Sequence, residues 1–358
     1  LAFLGFLVAA SGVIPIRASS GHWRVTHWFL DFSKRRSVAT QTLGADAPDL
    51  SADWLVLKGA GHYEGGCSPC HGSPIQGRPR IAAAMTPAPP WLPDHVGRWD
   101  PEELVYIVEH GIKFTGMPAW PARGRTDEVH AVVAFLRELP GLDAAGYRRL
   151  VYGDEPIDPR DLPLRDLPGS AAAPRSVLAS CARCHGTDGL SRGSPAFPKL
   201  AGQRVAYLRN AMAAYADGSR RSGIMQPIAA GLSPADHEEV VAFYARLPGA
   251  GNEATTDADA AARIARGRRI AEEGIPERGV PSCIDCHGPH AGRRNAAYPD
   301  LAGQFEDYLV LQLELFAAGY RGGSKFAHLM DKVARRLRPD EMRAAAAFYA
   351  SLPPAQAR

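Results

Sequence analysis

The sequence predicts an all-α chain of three small units in tandem behind an apolar amino-terminal segment. Three observations predict it. One five-residue motif occurs three times, a second element recurs after two of the copies, and helix start and stop signals surround each motif with no strand-rich run nearby. A length of 358 residues suits two or three domains. With 36 Gly and 30 Pro the chain exceeds ordinary usage and reads as loop-rich, and 46% hydrophobic content is ample for packed cores. Lys+Arg at 41 against Asp+Glu at 38 leaves a formal +3 without long one-sign runs, so no nucleic-acid partner is expected.

The motifs are Cys67-Ser-Pro-Cys70-His71, Cys181-Ala-Arg-Cys184-His185 and Cys283-Ile-Asp-Cys286-His287, and they use all 6 cysteines. C-x-x-C-H is the attachment signature of c-type haem. Two thiols on one short turn can add to the two haem vinyl groups, and the imidazole that follows lies under the iron as its proximal ligand. A zinc site would need four ligands, usually from two CxxC halves brought together; here three halves lie far apart, each with its own histidine. A thioredoxin-like pair would sit near a βαβ pattern, and a disulfide framework would leave the three histidines as coincidence. The expectation is three covalently bound haem c groups, with no disulfide and no free thiol. Reducing agent should not unfold the protein, and intact mass should show three haems added; a surviving disulfide would count against that domain's assignment.

Pro198-Lys199-Leu200-Ala201-Gly202-Gln203 recurs as Pro299-Asp300-Leu301-Ala302-Gly303-Gln304, Tyr207 matches Tyr308, and Phe243-Tyr244 matches Phe348-Tyr349. Such self-similarity marks two copies of one structural unit. Residues 175–353 resemble the dihaem cytochrome c4 family, and residues 55–145 resemble a generic class I cytochrome c domain without the Leu-Ala-Gly-Gln element. The resemblance implies three class I cytochrome c domains in tandem. It also implies a methionine as sixth iron ligand, taken from a loop well after each motif. Met117 in Thr115-Gly116-Met117-Pro118 fits the first, ahead of Met85, which follows His71 too soon. Met225 in Ser222-Gly223-Ile224-Met225-Gln226-Pro227 fits the second, because Met212 falls in an amphipathic stretch over 203–216. Met330 fits the third, with His328 as competitor and Met342 on a helix face. Met330→Ala should remove the far-red Met–iron charge-transfer band of one haem in three; an unchanged spectrum would overturn that ligand. His62, His95, His110, His130, His237 and His290 read as ordinary surface or core histidines.

Helix signals follow the units. Asp100-Pro101-Glu102-Glu103 opens a helix that Gly111 closes, Thr126 caps one that Pro140 stops, Ser233-Pro234 starts one running to Leu247, and Arg338-Pro339 starts one running to Leu352. Phe135, Phe243/Tyr244 and Phe348/Tyr349 should pack where the terminal helix crosses the helix before each motif. The expected domains are 55–145, 175–249 and 263–358, joined by linkers at 146–174 and 250–262. Cores of this size are marginal alone, so a bound haem should be needed for full folding.

Residues 1–16 are uncharged and almost wholly apolar, which predicts an N-terminal transmembrane helix acting as signal anchor. The connector 17–54 carries Trp23, Trp28, Phe29 and Phe32 like an interfacial belt, with Lys34-Arg35-Arg36 placed for lipid head groups. Haem attachment outside the cytoplasm, implied by the resemblance, places the domains in the periplasm on the bacterial inner membrane. Three His/Met irons leave no open site, so no small-molecule substrate is expected. The function expected is electron transfer in a respiratory chain to a terminal haem–copper oxidase, from a bc1-type complex or a soluble cytochrome. The alternative is a cytochrome subunit of a periplasmic alcohol, sugar or aldehyde dehydrogenase. Six propionates would take the formal charge from +3 to about −3 before the irons are counted.

Overall fold

The computed structural model describes residues 2–154, 175–253, 257–288 and 295–354. Among these residues there is no β-strand, only isolated bridges, and the helices gather around the three motifs.

The amino-terminal segment corrects one expectation. Its helix, α1, covers only Ala2–Ala10, nine residues and about 14 Å of rise. Gly12, at φ 66°, and Pro15 then take the backbone out of helical geometry. Among the described residues no helix is long and apolar enough to cross a membrane, so the transmembrane helix expected over 1–16 is not what they form. The next helix, α2 (Arg24–Gln41), exposes Trp28, Phe29 and Phe32, and Trp28 stacks on Phe32 at 5.7 Å. Lys34 and Arg35 both pair with Asp31, at 2.8 and 2.9 Å, which leaves less positive charge for head groups than the sequence suggests.

Unit 1 consists of α3 (Trp54–Gly66), α4 (Ser68–His71), α5 (Arg80–Ala83), α6 (Pro101–His110), α7 (Thr126–Glu138) and α8 (Ala144–Tyr152). The start of α6 is the capping box read from the sequence, with Asp100 and Glu103 reciprocally bonded. Helices α3 and α7 cross at Gly59, where a Cβ would stand 1.9 Å from Ala131 O and 2.7 Å from Phe135 Cβ. Phe135 therefore fills the crossing, 5.1 Å from the Tyr63 ring. Helix α8 spans the expected boundary at 145 and buries Tyr147 and Val151 in the unit 1 core. Its Tyr147 and Tyr152 hydroxyls both donate to Glu64, at 2.6 and 2.5 Å. The rest of the expected linker, 155–174, lies outside the described residues.

Unit 2 holds α9 (Arg175–His185), α10 (Val205–Ala216), α11 (Met225–Ala230) and α12 (Pro234–Arg246). Unit 3 holds α13 (Ala258–Glu273), α14 (Ile284–His287), α15 (Glu306–Ala317), α16 (Ala327–Ala334) and α17 (Pro339–Ser351). The crossing of unit 1 recurs between α13 and α17. A Cβ on Gly267 would stand 1.9 Å from Ala344 O and 2.9 Å from Phe348 Cβ. Met342 is core, 5% exposed, as its helix-face pattern suggests.

Glu341 anchors the start of α17. It is 3% exposed and accepts from Arg278 (2.5 Å), the Arg338 side chain (2.9 Å) and the Arg338 amide (2.8 Å). Burial opposes its charge, but the arginine hydrogen bonds outweigh burial and hold its carboxyl down at about 2, from 4.5. A depressed carboxylate stabilises the fold above the unfolded value and loses that contribution as pH falls toward the folded one. The thermal midpoint of wild type should therefore drop faster than that of Glu341→Gln between pH 4.5 and about 2. Parallel curves would remove Glu341 from the account.

Candidate haem sites

Each motif sits on a helical turn that returns its histidine amide to its first cysteine or closes one residue later. His71 N bonds Cys67 O at 2.9 Å, His287 N bonds Cys283 O at 2.9 Å, and Gly186 N bonds Ala182 O at 2.8 Å. A glycine follows each histidine, with φ of 77°, 78° and 81° at Gly72, Gly186 and Gly288. At this position the chain turns left-handed, so a side chain would be strained.

The three histidines are oriented alike. Nδ1 of His71, His185 and His287 lies 3.0, 3.2 and 3.0 Å from the carbonyl oxygens of Pro90, Pro198 and Pro299. A carbonyl only accepts, so each Nδ1 carries the proton and each Nε2 keeps its lone pair for an iron. Burial pushes the His185 imidazole down to about 4, which keeps it neutral. A tyrosine hydroxyl braces each turn: Tyr63 donates to Gly72 O (2.7 Å), Tyr244 to Gly186 O (3.2 Å) and Tyr349 to Gly288 O (3.0 Å). In units 2 and 3 this tyrosine comes from the terminal helix. In unit 1 the matching helix is α7, which has Leu136 at that place, and α3 supplies Tyr63 instead.

The Leu-Ala-Gly-Gln repeat ties units 2 and 3 together. Gln304 brackets the backbone of Lys199, accepting from its amide and donating to its carbonyl, both at 3.0 Å. Gln203 brackets Asp300 in the same way, at 3.1 and 2.6 Å. Each glutamine thus fixes the opposite unit's loop, one residue after the proline that holds the proximal histidine. Unit 1 has Pro90-Trp91-Leu92 but no such glutamine.

The second and third motifs open into one cavity of about 560 Å³. Cys181, Cys184, His185 and Met225 line it from unit 2, and Cys283, Cys286, His287 and Met330 from unit 3. Met212 also lines it while packing on the unit 2 core. His328 is exposed and lies off the cavity. In unit 1 the loop carrying Met117 is closed by Ile112 N to Met117 O at 3.1 Å, and a Cβ on Gly116 would stand 2.3 Å from Met85 Cε, so both methionines meet at this loop.

These residues fit a covalent haem on more than the motif. The cavity wall also carries Arg220 and Arg321. Arg220 donates to Tyr308 and Gln312, each at 3.2 Å, and Arg321 to Tyr207 at 3.2 Å and Gln312 at 2.5 Å. One buried guanidinium, Arg220, and one half-buried, Arg321, both on uncharged partners at the wall of an apolar space, call for anions, and haem propionates would supply them.

Unit 1 contributes to the same cavity. Gly61 of α3 faces the second motif, where a Cβ would stand 3.2 Å from Cys184 Sγ. His62, beside it, is buried with Nδ1 unpartnered, and burial, reinforced by Lys58, pushes its imidazole down to about 3. That departs from the satisfied histidine expected there. His95 and His237 are satisfied, on Trp91 O and Ala229 O at 2.7 Å each. His290 lies outside the described residues. Nothing in the sequence pattern marks Tyr63, Arg220 or Arg321 as part of these sites, because their partners lie outside their own helices and, for the two arginines, in the other unit.

Helical units built around CxxCH turns, with histidines poised through Nδ1, define a multidomain c-type haem protein that transfers electrons. Residues 55–136 match the family model described as cytochrome C oxidase, cbb3-type, subunit III, and residues 171–248 match that described as cytochrome c. A thiosulfate dehydrogenase electron acceptor of Stutzerimonas stutzeri is 36% identical over 48% of this chain and 79% of its own length. A protein of the same description from Thiomonas intermedia is 36% identical over 52% of this chain and 84% of its own. Cytochrome c4 of Pseudomonas aeruginosa is 33% identical over 51% of this chain and 89% of its own. The chain belongs to the cytochrome c family.

Proposed function

We propose that the chain is a trihaem electron carrier on the periplasmic side of the bacterial inner membrane, passing electrons from a dehydrogenase-type donor toward a terminal haem–copper oxidase. Cys67 and Cys70, Cys181 and Cys184, and Cys283 and Cys286 hold the haems as thioethers. His71, His185 and His287 are the proximal ligands, and Met117, Met225 and Met330 the sixth. Haem iron with both axial positions filled supplies one-electron exchange between ferric and ferrous states and leaves no place for substrate. The protein's part is to orient the imidazoles, exclude water and neutralise the propionates.

The observation that carries this reading is the threefold Nδ1–carbonyl geometry, which leaves every motif histidine ready for iron. The direction of flow rests on similarity. Two relatives that cover about half of this chain are described as electron acceptors of thiosulfate dehydrogenase, which supports a periplasmic dehydrogenase as donor. The match of residues 55–136 to an oxidase subunit model supports delivery through unit 1. The exposed aromatic face of α2 supports a place for that helix against the membrane surface.

Purified holoprotein, pre-reduced, should be oxidised by a cbb3-type oxidase in stopped flow, and the oxidised form should be reduced by thiosulfate dehydrogenase with thiosulfate. Failure of the oxidase step alone would leave the reading of a dehydrogenase subunit. A haem-to-chain ratio below three would overturn the trihaem assignment.

A further inference from the structure

Haem attachment does not account for the buried contact between unit 1 and the methionine loop of unit 2. Glu128 on α7 is 2% exposed. Its Oε1 accepts from Ser222 Oγ at 2.6 Å and faces Arg125 Nη1 at 3.0 Å. Its Oε2 accepts from Gly223 N at 2.7 Å and Trp120 Nε1 at 3.0 Å. Two of these donors belong to the loop that leads into Met225. Ser222 Oγ in turn accepts from the Met225 amide at 3.0 Å and the Ile224 amide at 3.3 Å. One short chain therefore runs from a unit 1 carboxylate through a unit 2 hydroxyl to the backbone of Met225.

The other side of the junction is equally fixed. Trp120 stands three residues after Met117, and its amide is held by Glu109 O at 2.9 Å. Its ring occupies the space that a Cβ on Gly223 would need, 2.5 Å from Trp120 Cε2. Arg125 donates to Arg221 O at 2.6 Å and is itself held by Asp127 at 2.7 and 2.9 Å. The two methionine loops thus share one buried carboxylate.

We propose that Glu128 is a positioning residue for the sixth ligand of the second haem: it fixes Ser222 and Gly223, and so sets where the Met225 thioether stands, while Trp120 ties that setting to the Met117 loop. The proposal rests on the haem reading of Met225. A thioether is a weak ligand that stays on iron only if its loop presents it in place. Glu128→Gln keeps the shape but turns an amide NH₂ toward groups that all donate, so at least one donor of the junction loses its acceptor.

The test uses full-length holoprotein carrying Glu128→Gln, Ser222→Ala or Met225→Ala, with haem content and helical circular dichroism checked first. The readouts are the far-red Met–iron band, carbon monoxide binding to the ferrous form and haem-resolved potentials. Met225→Ala should lose about a third of the band and bind carbon monoxide at one haem. Glu128→Gln should lose most of the same third and lower the potential of that haem, with three haems retained. Ser222→Ala should lose a smaller part, and it decides the matter if Glu128→Gln does not assemble. A full band and no carbon monoxide binding in an assembled Glu128→Gln, or in Ser222→Ala where that variant decides, beside a reduced band in Met225→Ala, would overturn this proposal alone. A full band in Met225→Ala would overturn the ligand assignment and the proposal with it.

Discussion

Gly267→Val is expected to yield a protein carrying one haem fewer, with unit 3 largely unfolded. The Cβ it introduces would stand 1.9 Å from Ala344 O, a backbone atom that cannot rotate aside. Helices α13 and α17 would have to separate, withdrawing Phe348 from the crossing and Tyr349 from its bond to Gly288 O. Overpacking costs about 1–3 kcal/mol, with a backbone clash at the upper end, a large share of what a domain of this size has. Intact mass and haem content report the loss. Gly97→Ala, with open space around it and no left-handed backbone, is the control and should keep every haem. A Gly267→Val protein of full mass and unchanged Tm would show that the crossing yields more easily than its geometry implies.

The second large effect is expected from Gln203→Ala with Gln304→Ala. Each glutamine satisfies one amide and one carbonyl of the opposite unit, at Asp300 and at Lys199. Removing both strands four backbone groups in an interface where Gln304 is 7% exposed. Unsatisfied groups cost about 1–3 kcal/mol each, and water entering the gap recovers part, so a loss of about 2–4 kcal/mol is expected for the pair. The single variants should each show less than the double. The same loops carry Pro198 O and Pro299 O, the acceptors of His185 and His287. Looser acceptors make a proximal imidazole a poorer donor to iron, so the potentials of those two haems should move while that of the first stays. Unchanged melting would dismiss the glutamine clamp.

Local features were the legible ones. The CxxCH motifs and the capping box at Asp100 are set by residues a few positions apart, and the helix faces that bring Phe135 and Phe348 to the crossings of units 1 and 3 show in the periodicity. The repeat was visible as well, but its purpose was not, because Gln203 and Gln304 act on residues 97 and 105 positions away. Arg220, Arg321 and Glu128 were illegible for the same reason: each looks like a solvated charge until the partner unit is in place. Leu136 hid a substitution of another kind, since the hydroxyl missing from α7 of unit 1 is supplied by Tyr63 on α3. The transmembrane expectation failed on a different ground. Hydropathy counts apolar residues, whereas Gly12 and Pro15 decide how far the helix over residues 2–10 can run.

Helix α3 has two duties. It ends at Cys67, so its shape sets up the first motif. Through Trp54, Lys58, His62 and Gly65 it is also a wall of the cavity into which Cys181 and Cys184 open, with Gly61 against the Cys184 sulfur. The helix that sets up the first motif is therefore also part of the surroundings of the second, so a change in α3 reaches two sites at once.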